Sequence, residues 1–130
     1  MRVMIDTNIL LSAFVFQSTK MAALVEQVIE EHTLVLCSHI IDEFFDVVTR
    51  KSSKYKSAFD DLFSKLSYEM VYTPKWQESM PNIRDEKDKP ILAAAILSDI
   101  DVIITGDKDF YEVKIERPEI LSPIDFLNKY

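Results

Sequence analysis

Five carboxylates stand where predicted strands end or predicted helices begin, and such a group is able to bind a metal ion. They are Asp6, Glu43, Asp88, Asp107 and Asp109. Carboxylates that converge on one site repel each other, because a nearby like charge disfavours ionisation. A hard divalent cation with oxygen ligands, such as Mg²⁺ or Mn²⁺, offsets this repulsion. Taken singly, the three residues Asp6, Asp107 and Asp109 are consistent with helix or turn caps, Glu43 with a solvated helix residue and Asp88 with a charged loop. Only their joint placement indicates a metal site.

Two of these carboxylates follow apolar runs that are typical of buried strands. Asp6 directly follows residues 3–5, and Asp107 comes shortly after residues 102–104. In an open parallel sheet, sites form outside the carboxyl ends of the strands, near the topological switch point. The only glycine, Gly106, predicts a tight turn with positive φ that directs Asp107 back toward this edge. We therefore expect Asp6 and Asp107 to lie at the same edge of a sheet.

Helix geometry distinguishes Glu43 from its neighbour Asp42. A helix is predicted over residues 39–50, with Ser38 as its N-cap. At about 100° per residue, the apolar side chains of this helix form one arc. Glu43 lies at the edge of that arc, whereas Asp42 lies on the opposite side and faces solvent. Glu43 is therefore the residue of this pair that we expect at the sheet edge.

Short apolar strands alternate with amphipathic helices along the chain. Strands are predicted over residues 3–5, 33–37, 68–72, 102–104 and 119–121, and helices over 9–14, 20–31, 39–50, 54–66, 91–98 and after Ser122. Asp88 lies just before Pro90, which fits the first turn of a helix. This alternation implies right-handed βαβ crossovers. The sequence predicts one α/β domain over residues 1–130, with three layers and a central parallel sheet of about five strands flanked by helices.

Composition excludes several classes of protein. The 130 residues are 48% hydrophobic and 28% charged, which is typical of a folded domain rather than of a disordered chain. The single cysteine, Cys37, excludes an internal disulfide and indicates a reducing, cytoplasmic compartment. No apolar run approaches the ~20 residues that span a bilayer, so no membrane partner is expected. The net charge of −7 argues against sequence-independent adhesion to nucleic acid through a basic surface.

One basic segment interrupts this negative charge. Its basic residues are Arg50, Lys51, Lys54 and Lys56, and Tyr55 lies between the last two. Such a segment is able to follow an RNA backbone while the tyrosine ring stacks on a base. A solvated connection between two helices explains the same residues at least as well.

Four segments of the chain resemble PIN domains and occur in the order that is found in that family. They are residues 4–13, which include Asp6-Thr7-Asn8, and residues 38–43, 84–92 and 103–110. The last segment is similar to the subgroup of toxin components from bacterial toxin–antitoxin pairs. The third departs from the family, which often has Asp-Pro-Asp-Asp where this chain has Asp85-Glu86-Lys87-Asp88. Lys87 makes Asp85 a weaker candidate ligand and leaves Asp88 intact.

The resemblance implies an Mg²⁺- or Mn²⁺-dependent ribonuclease with a Rossmann-like sheet, often dimeric. It further implies hydrolysis of RNA phosphodiester bonds with two metal ions, and an antitoxin protein as a partner. The implied catalytic metal ligands are Asp6, Glu43, Asp88 and Asp107, with Asp109 as an accessory ligand. Asn8 and Thr105 are expected to orient the substrate.

Three other functions remain open at this point. A haloacid-dehalogenase-type phosphatase needs a second aspartate two residues after Asp6, where this chain has Asn8. A two-component receiver needs a phosphorylatable aspartate after a middle strand and a strand-end lysine, and the chain offers no clear match. A metal- or RNA-binding module without turnover would keep the same acidic residues. Metal-dependent cleavage of single-stranded RNA distinguishes a nuclease from all three.

Overall fold

Five short strands form one parallel sheet in the computed structural model, which describes residues 1–51 and 53–130. The strands are β1 (Arg2–Ile5), β2 (Thr33–Cys37), β3 (Glu69–Val71), β4 (Val102–Ile104) and β5 (Glu119–Leu121). Neighbouring strands are parallel, and their order across the sheet is β3-β2-β1-β4-β5. The predicted α/β fold with a central five-stranded parallel sheet is confirmed.

Helices flank this sheet and complete the three layers. Within the described residues they are α1 (Thr7–Phe14), α2 (Thr19–Glu31), α3 (Ser38–Lys51), α4 (Lys56–Lys65), α5 (Lys89–Leu97), α6 (Lys108–Tyr111) and α7 (Pro123–Lys129), with 3₁₀ turns at Ser53–Tyr55 and Glu86–Asp88. Because the chain reverses its direction across the sheet after β3, right-handed crossovers are expected to place α5 on the face opposite to α1–α4. Among the described residues, no single helix is both long and apolar enough to cross a bilayer. Helices α1 and α2 taken together have that length and apolar character, but the chain bends by 115° between them.

The first strand lies at the centre of the sheet. Met4 pairs with Val35 of β2 on one side and with Ile103 of β4 on the other. All three side chains are fully buried, as expected for strands that are covered on both faces. The chain runs outward from β1 to β3 and then returns to the other side of β1 as β4. The carboxyl ends of β1 and β4 therefore flank the topological switch point, where open α/β sheets bind ligands.

Local hydrogen bonds move some helix boundaries away from their predicted positions. Ser38 lies inside α3 instead of capping it, and its hydroxyl donates to Thr73 Oγ1 at 3.0 Å. The predicted helix over residues 54–66 begins as a 3₁₀ turn and continues as α4. Helix α6 was not predicted, because four residues are too few to show a periodic apolar pattern.

Ser18→Ala is expected to destabilise the fold by about 1 kcal/mol. Ser18 is the N-cap of α2, and its Oγ accepts a hydrogen bond from the Met21 amide at 3.3 Å. Urea unfolding of the variant measures the loss. Ser57→Ala, an exposed serine in the first turn of α4, is the matched control and should change stability little. Equal losses in the two variants would contradict a capping role for Ser18.

Candidate metal centre

The ends of β1 and β4 place Asp6 beside Thr105. The Asp6 amide donates to the Ile104 carbonyl at 3.0 Å, which extends the pairing of the two strands by one residue. The Asp6 carboxylate makes no capping bond at the start of α1, and instead accepts a hydrogen bond from the Thr105 hydroxyl at 2.8 Å. Asp6 is only 6% exposed, so its carboxylate is held in a mostly desolvated position.

Thr105 joins Asp6 to Asp107. Its fully buried hydroxyl donates to Asp6 and accepts from the Asp107 amide at 3.0 Å. The Tyr111 hydroxyl donates to the Thr105 carbonyl at 2.5 Å and supports the same turn from α6. Thr105 therefore orients the Asp6 carboxylate, whereas we expected it to orient the substrate.

The turn at Gly106 differs from the prediction made for it. Gly106 does not have a positive φ, and a Cβ atom added there would meet nothing within 4 Å. The prediction of a glycine-dependent turn is therefore wrong. Asp107 is oriented by hydrogen bonds instead: its amide donates to Thr105, and its carboxylate caps α6 by accepting from the Asp109 amide at 2.9 Å.

Four aspartates form a cluster that could hold a metal ion. In Asp85, Asp88, Asp107 and Asp109, one carboxylate oxygen from each residue lies within 4.8 Å of the others. Asp85 belongs to this cluster although the sequence made it a weaker candidate. Its carboxylate accepts from the Lys87 amide at 3.0 Å, which turns the loop back toward Asp88. Four oxygen donors at this spacing match the chemistry of a hard divalent cation.

Burial and neighbouring carboxylates disfavour ionisation of Asp88. Burial, followed by the contact with Asp107 and the charges of Asp107, Asp85 and Asp6, raises the pKa of Asp88 to about 8. Burial also raises the pKa of Asp6, and the Thr105 hydroxyl partly opposes this change. Asp88 Oδ2 is buried and has no hydrogen-bond partner within residues 1–51 and 53–130. A cation would give that oxygen the partner that it lacks, so the donor set fits a metal.

Glu43 approaches the same edge from α3. The Thr7 hydroxyl donates to Glu43 Oε1 at 2.8 Å, and His39 Nε2 lies 3.4 Å from the same oxygen. Glu43 is half-buried whereas Asp42 is exposed, as the helical projection predicts. Sequence reasoning missed Thr7. Its position beside Asp6 at the start of α1 was the available signal, but its acceptor lies 36 residues away in the chain.

One cavity of about 270 Å³ brings four of the five predicted carboxylates together. Its lining residues are Asp6, Thr7, Asn8, Glu43, Asp85, Lys87, Asp88, Ile91 and Asp107. Asp109 does not line this cavity, although it belongs to the four-aspartate cluster. Exposed Asn8 also lines a neighbouring cavity with Asp6 and Asp107, so it lies on the solvent side of the acidic centre.

The basic segment lies on the far part of α3 and the start of α4. Arg50, Lys51, Lys54 and Lys56 are all exposed, and Ser52 lies outside the described residues. The Lys51 ammonium lies over a phenylalanine ring, the Lys54 ammonium lies over the Tyr55 ring, and Lys56 pairs with an aspartate one turn later. These four cations do not line the acidic cavity.

Comparisons with known proteins identify the family and the fold of the chain. A family model described as "PIN domain" matches residues 2–109. In the fold comparison, the chain is similar to a chain of the "Crystal structure of VapBC2 from Rickettsia felis bound to a DNA fragment from their promoter", with a TM-score of 0.70 and 18% identity over 94% of this chain and 98% of that one. At this identity the likeness shows the fold alone. No curated protein sequence matches the chain.

Proposed function

The chain belongs to the PIN domain family, and from this premise we propose that it is a divalent-metal-dependent ribonuclease that hydrolyses RNA phosphodiester bonds. Because one fold hosts many functions, the proposal depends on the site. The observation that carries it is the cavity at the switch point, which is lined by Asp6, Glu43, Asp88 and Asp107.

Mg²⁺ or Mn²⁺ is the cofactor that this site suits. Its donors are carboxylate oxygens, which these hard cations prefer over nitrogen or sulfur ligands. We propose Asp6, Glu43, Asp88 and Asp107 as the ligands, with Asp109 and Asp85 as accessory carboxylates. When bound, one or two such ions would neutralise the phosphate, acidify an attacking water and stabilise the leaving oxygen.

The protein's own residues hold the carboxylates and the substrate in place. Thr105 and Thr7 each donate to one carboxylate oxygen, of Asp6 and Glu43 respectively, and leave the other oxygen available. Asn8, exposed at the edge of the cavity, is placed to donate its amide hydrogens to a phosphate oxygen. Lys87 lines the same cavity and supplies a positive charge for a phosphate of the strand.

The basic segment is the surface that we propose for the RNA backbone beyond the cavity. Arg50 and Lys51 lie seven and eight residues after Glu43 in the same helix, which places them about 10 Å along its axis. Lys54 and Lys56 continue the segment. Because the chain carries a net charge of −7, most of its surface should repel RNA, and contact is expected only where basic residues cluster. This segment is such a cluster.

We further propose that this enzyme is the toxin of a toxin–antitoxin pair. The resemblance of residues 103–110 to the toxin subgroup supports this assignment, as does the fold likeness to VapBC2. The proposed partners are an antitoxin protein, the RNA substrate and a second copy of the chain. The cytoplasm is the proposed compartment, and residues 1–130 are proposed to act as one domain.

Cleavage of a labelled single-stranded RNA tests the proposal. We expect cleavage with Mg²⁺ or Mn²⁺, none with EDTA, and products that carry a 5′-phosphate. Asp6→Asn should abolish it, whereas Asp46→Asn, which removes an exposed charge from α3, should not. Metal and RNA binding without cleavage would instead establish a non-catalytic module. Hydrolysis of small phosphomonoesters without RNA cleavage would indicate a phosphatase.

A further inference from the structure

A second cavity lies beside the acidic centre and has a different chemical character. Its volume is about 360 Å³, within the range of small-ligand sites. Its lining residues include Asp42, Trp76, Glu86 and Lys89. The Lys89 ammonium lies 5.2 Å from the centre of the indole ring, a cation–π distance that holds the ring in place.

Two chain segments connect this cavity to the acidic centre. His39 lines the second cavity, and its Nε2 lies 3.4 Å from the Glu43 carboxylate of the first. On the other side, Glu86 and Lys89 line the second cavity while Asp88, between them in the chain, lines the first. The two cavities are therefore neighbours, joined through His39 and Glu43 and through the segment of residues 86–89.

Most polar groups in this cavity are already paired. The Ser38 and Thr73 hydroxyls bond to each other at 3.0 Å, and Glu86 pairs with Lys89 at 2.9 Å. The Asp42 carboxylate makes no hydrogen bond or ion pair with any residue that the structure describes. Asp42 thus offers two acceptor oxygens to a ligand, in a cavity that also presents an aromatic ring.

We propose that this cavity is a base-binding subsite that selects guanine next to the scissile phosphate. The inference rests on the proposed ribonuclease function and assigns its base specificity. Trp76 supplies the aromatic surface on which the base stacks, in place of the Lys89 ammonium that lies over the ring in this structure. Asp42 supplies the acceptors that read the edge of the base.

The chemistry of the four bases gives this preference. Guanine presents two adjacent donors, N1–H and the N2 amino group, which match both oxygens of the Asp42 carboxylate. Its O6 is an acceptor for an ammonium hydrogen of Lys89 that the ion pair with Glu86 does not use, because an ammonium group has three donors. Adenine and cytosine each present one amino group beside an acceptor nitrogen. Uracil presents one N–H between two carbonyl oxygens, which the carboxylate repels.

Trp76 is the only tryptophan in the chain, so its fluorescence reports occupancy of the subsite directly. The probes are four RNA hexamers of uridine with G, A, C or U at the third position, titrated in EDTA so that nothing is cleaved. We expect the hexamer with guanine to quench Trp76 with an affinity about tenfold above that of all-uridine RNA, since a bidentate pair discriminates by about 1–3 kcal/mol. Asp42→Asn should remove this preference, and Asp46→Asn should keep it.

Cleavage of the same four RNAs with Mn²⁺ provides the second readout. We expect one guanine-adjacent bond to be cleaved fastest, and Asp42→Asn to reduce that rate about tenfold while all-uridine RNA is cleaved as before. Guanine-dependent quenching without any cleavage would support the subsite and contradict the ribonuclease. Quenching that is equal for all four hexamers, or a guanine preference that survives in Asp42→Asn, would overturn the subsite whether or not the protein cleaves RNA.

Discussion

Glu43→Gln is expected to lower metal-dependent RNA cleavage by about two to three orders of magnitude, the loss typical of removing one preorganised electrostatic contact. The substitution keeps the size of the side chain and an oxygen that can accept from Thr7 at the 2.8 Å contact. It removes one negative charge from the cavity that Glu43 lines with Asp6 and Asp88. Because hard cations prefer charged carboxylates, the variant should bind the metal more weakly.

Asp46→Asn is the matched control for this variant. Asp46 also belongs to α3 and is exposed, and the same charge is removed. Surface substitutions of this kind usually change stability by no more than about 0.5 kcal/mol, so activity should stay close to that of the parent protein. Initial cleavage rates on one RNA, at several Mn²⁺ concentrations, compare the variants. Full activity in Glu43→Gln would contradict the proposed metal centre.

Mn²⁺ is expected to stabilise the protein strongly, and Asp88→Asn is expected to abolish this effect. At a concentration 100 times its dissociation constant, a ligand adds about 2.7 kcal/mol, which is about 10 °C in Tm for a domain of this size. Asp88 is the residue of choice because Oδ2 is buried without a partner among the described residues. Thermal unfolding with and without millimolar Mn²⁺ measures the shift.

The metal-free protein should become less stable as the pH rises from about 4 to about 8. The Asp88 pKa is raised from 3.8 to about 8 by burial, by contact with Asp107 and by nearby carboxylate charges. Between these values the folded carboxyl keeps a proton that the unfolded one has lost, so each increase in pH favours unfolding. Below this window both forms are protonated, and above it both are ionised.

Asp88→Asn should therefore be more stable than the parent without metal at pH 8, and about equally stable near pH 4. An amide is neutral at every pH in this window, so it avoids the repulsion that an ionised Asp88 meets. Urea unfolding in EDTA at several pH values gives the comparison. Asp46→Asn, which removes an exposed charge from α3, controls for a general charge effect. A parent protein whose stability is constant across this range would contradict the raised pKa of Asp88.

Local patterns in the sequence were sufficient for the five strands and for every helix except α6. The strands are predicted because residues such as Val3, Leu34 and Ile103 belong to short apolar runs that are buried on both faces of the sheet. The side on which Glu43 lies follows from helical periodicity, which relates residues three and four apart. Parallel pairing then places Asp6 and Asp107 at one edge, because both follow strands that end there.

Gly106 and Asp107 show where local reasoning fails. A glycine between a strand end and an acidic residue predicts a tight turn with positive φ, yet Gly106 has no positive φ. The Thr105 hydroxyl and the cap of α6 orient Asp107 without any help from backbone strain. The backbone can turn in the same direction either through a glycine with positive φ or through hydrogen bonds to neighbouring side chains. The presence of a glycine in the sequence does not show which of the two makes the turn.

The sequence by itself determined the fold class and the order of the strands along the chain, because these depend on neighbours within a few positions. Only the tertiary structure decided which hydroxyl holds which carboxylate, since Thr7 meets Glu43 across 36 residues and Thr105 meets Asp6 across 99. It also decided the raised pKa of Asp88, because desolvation depends on what surrounds a group in space rather than in sequence.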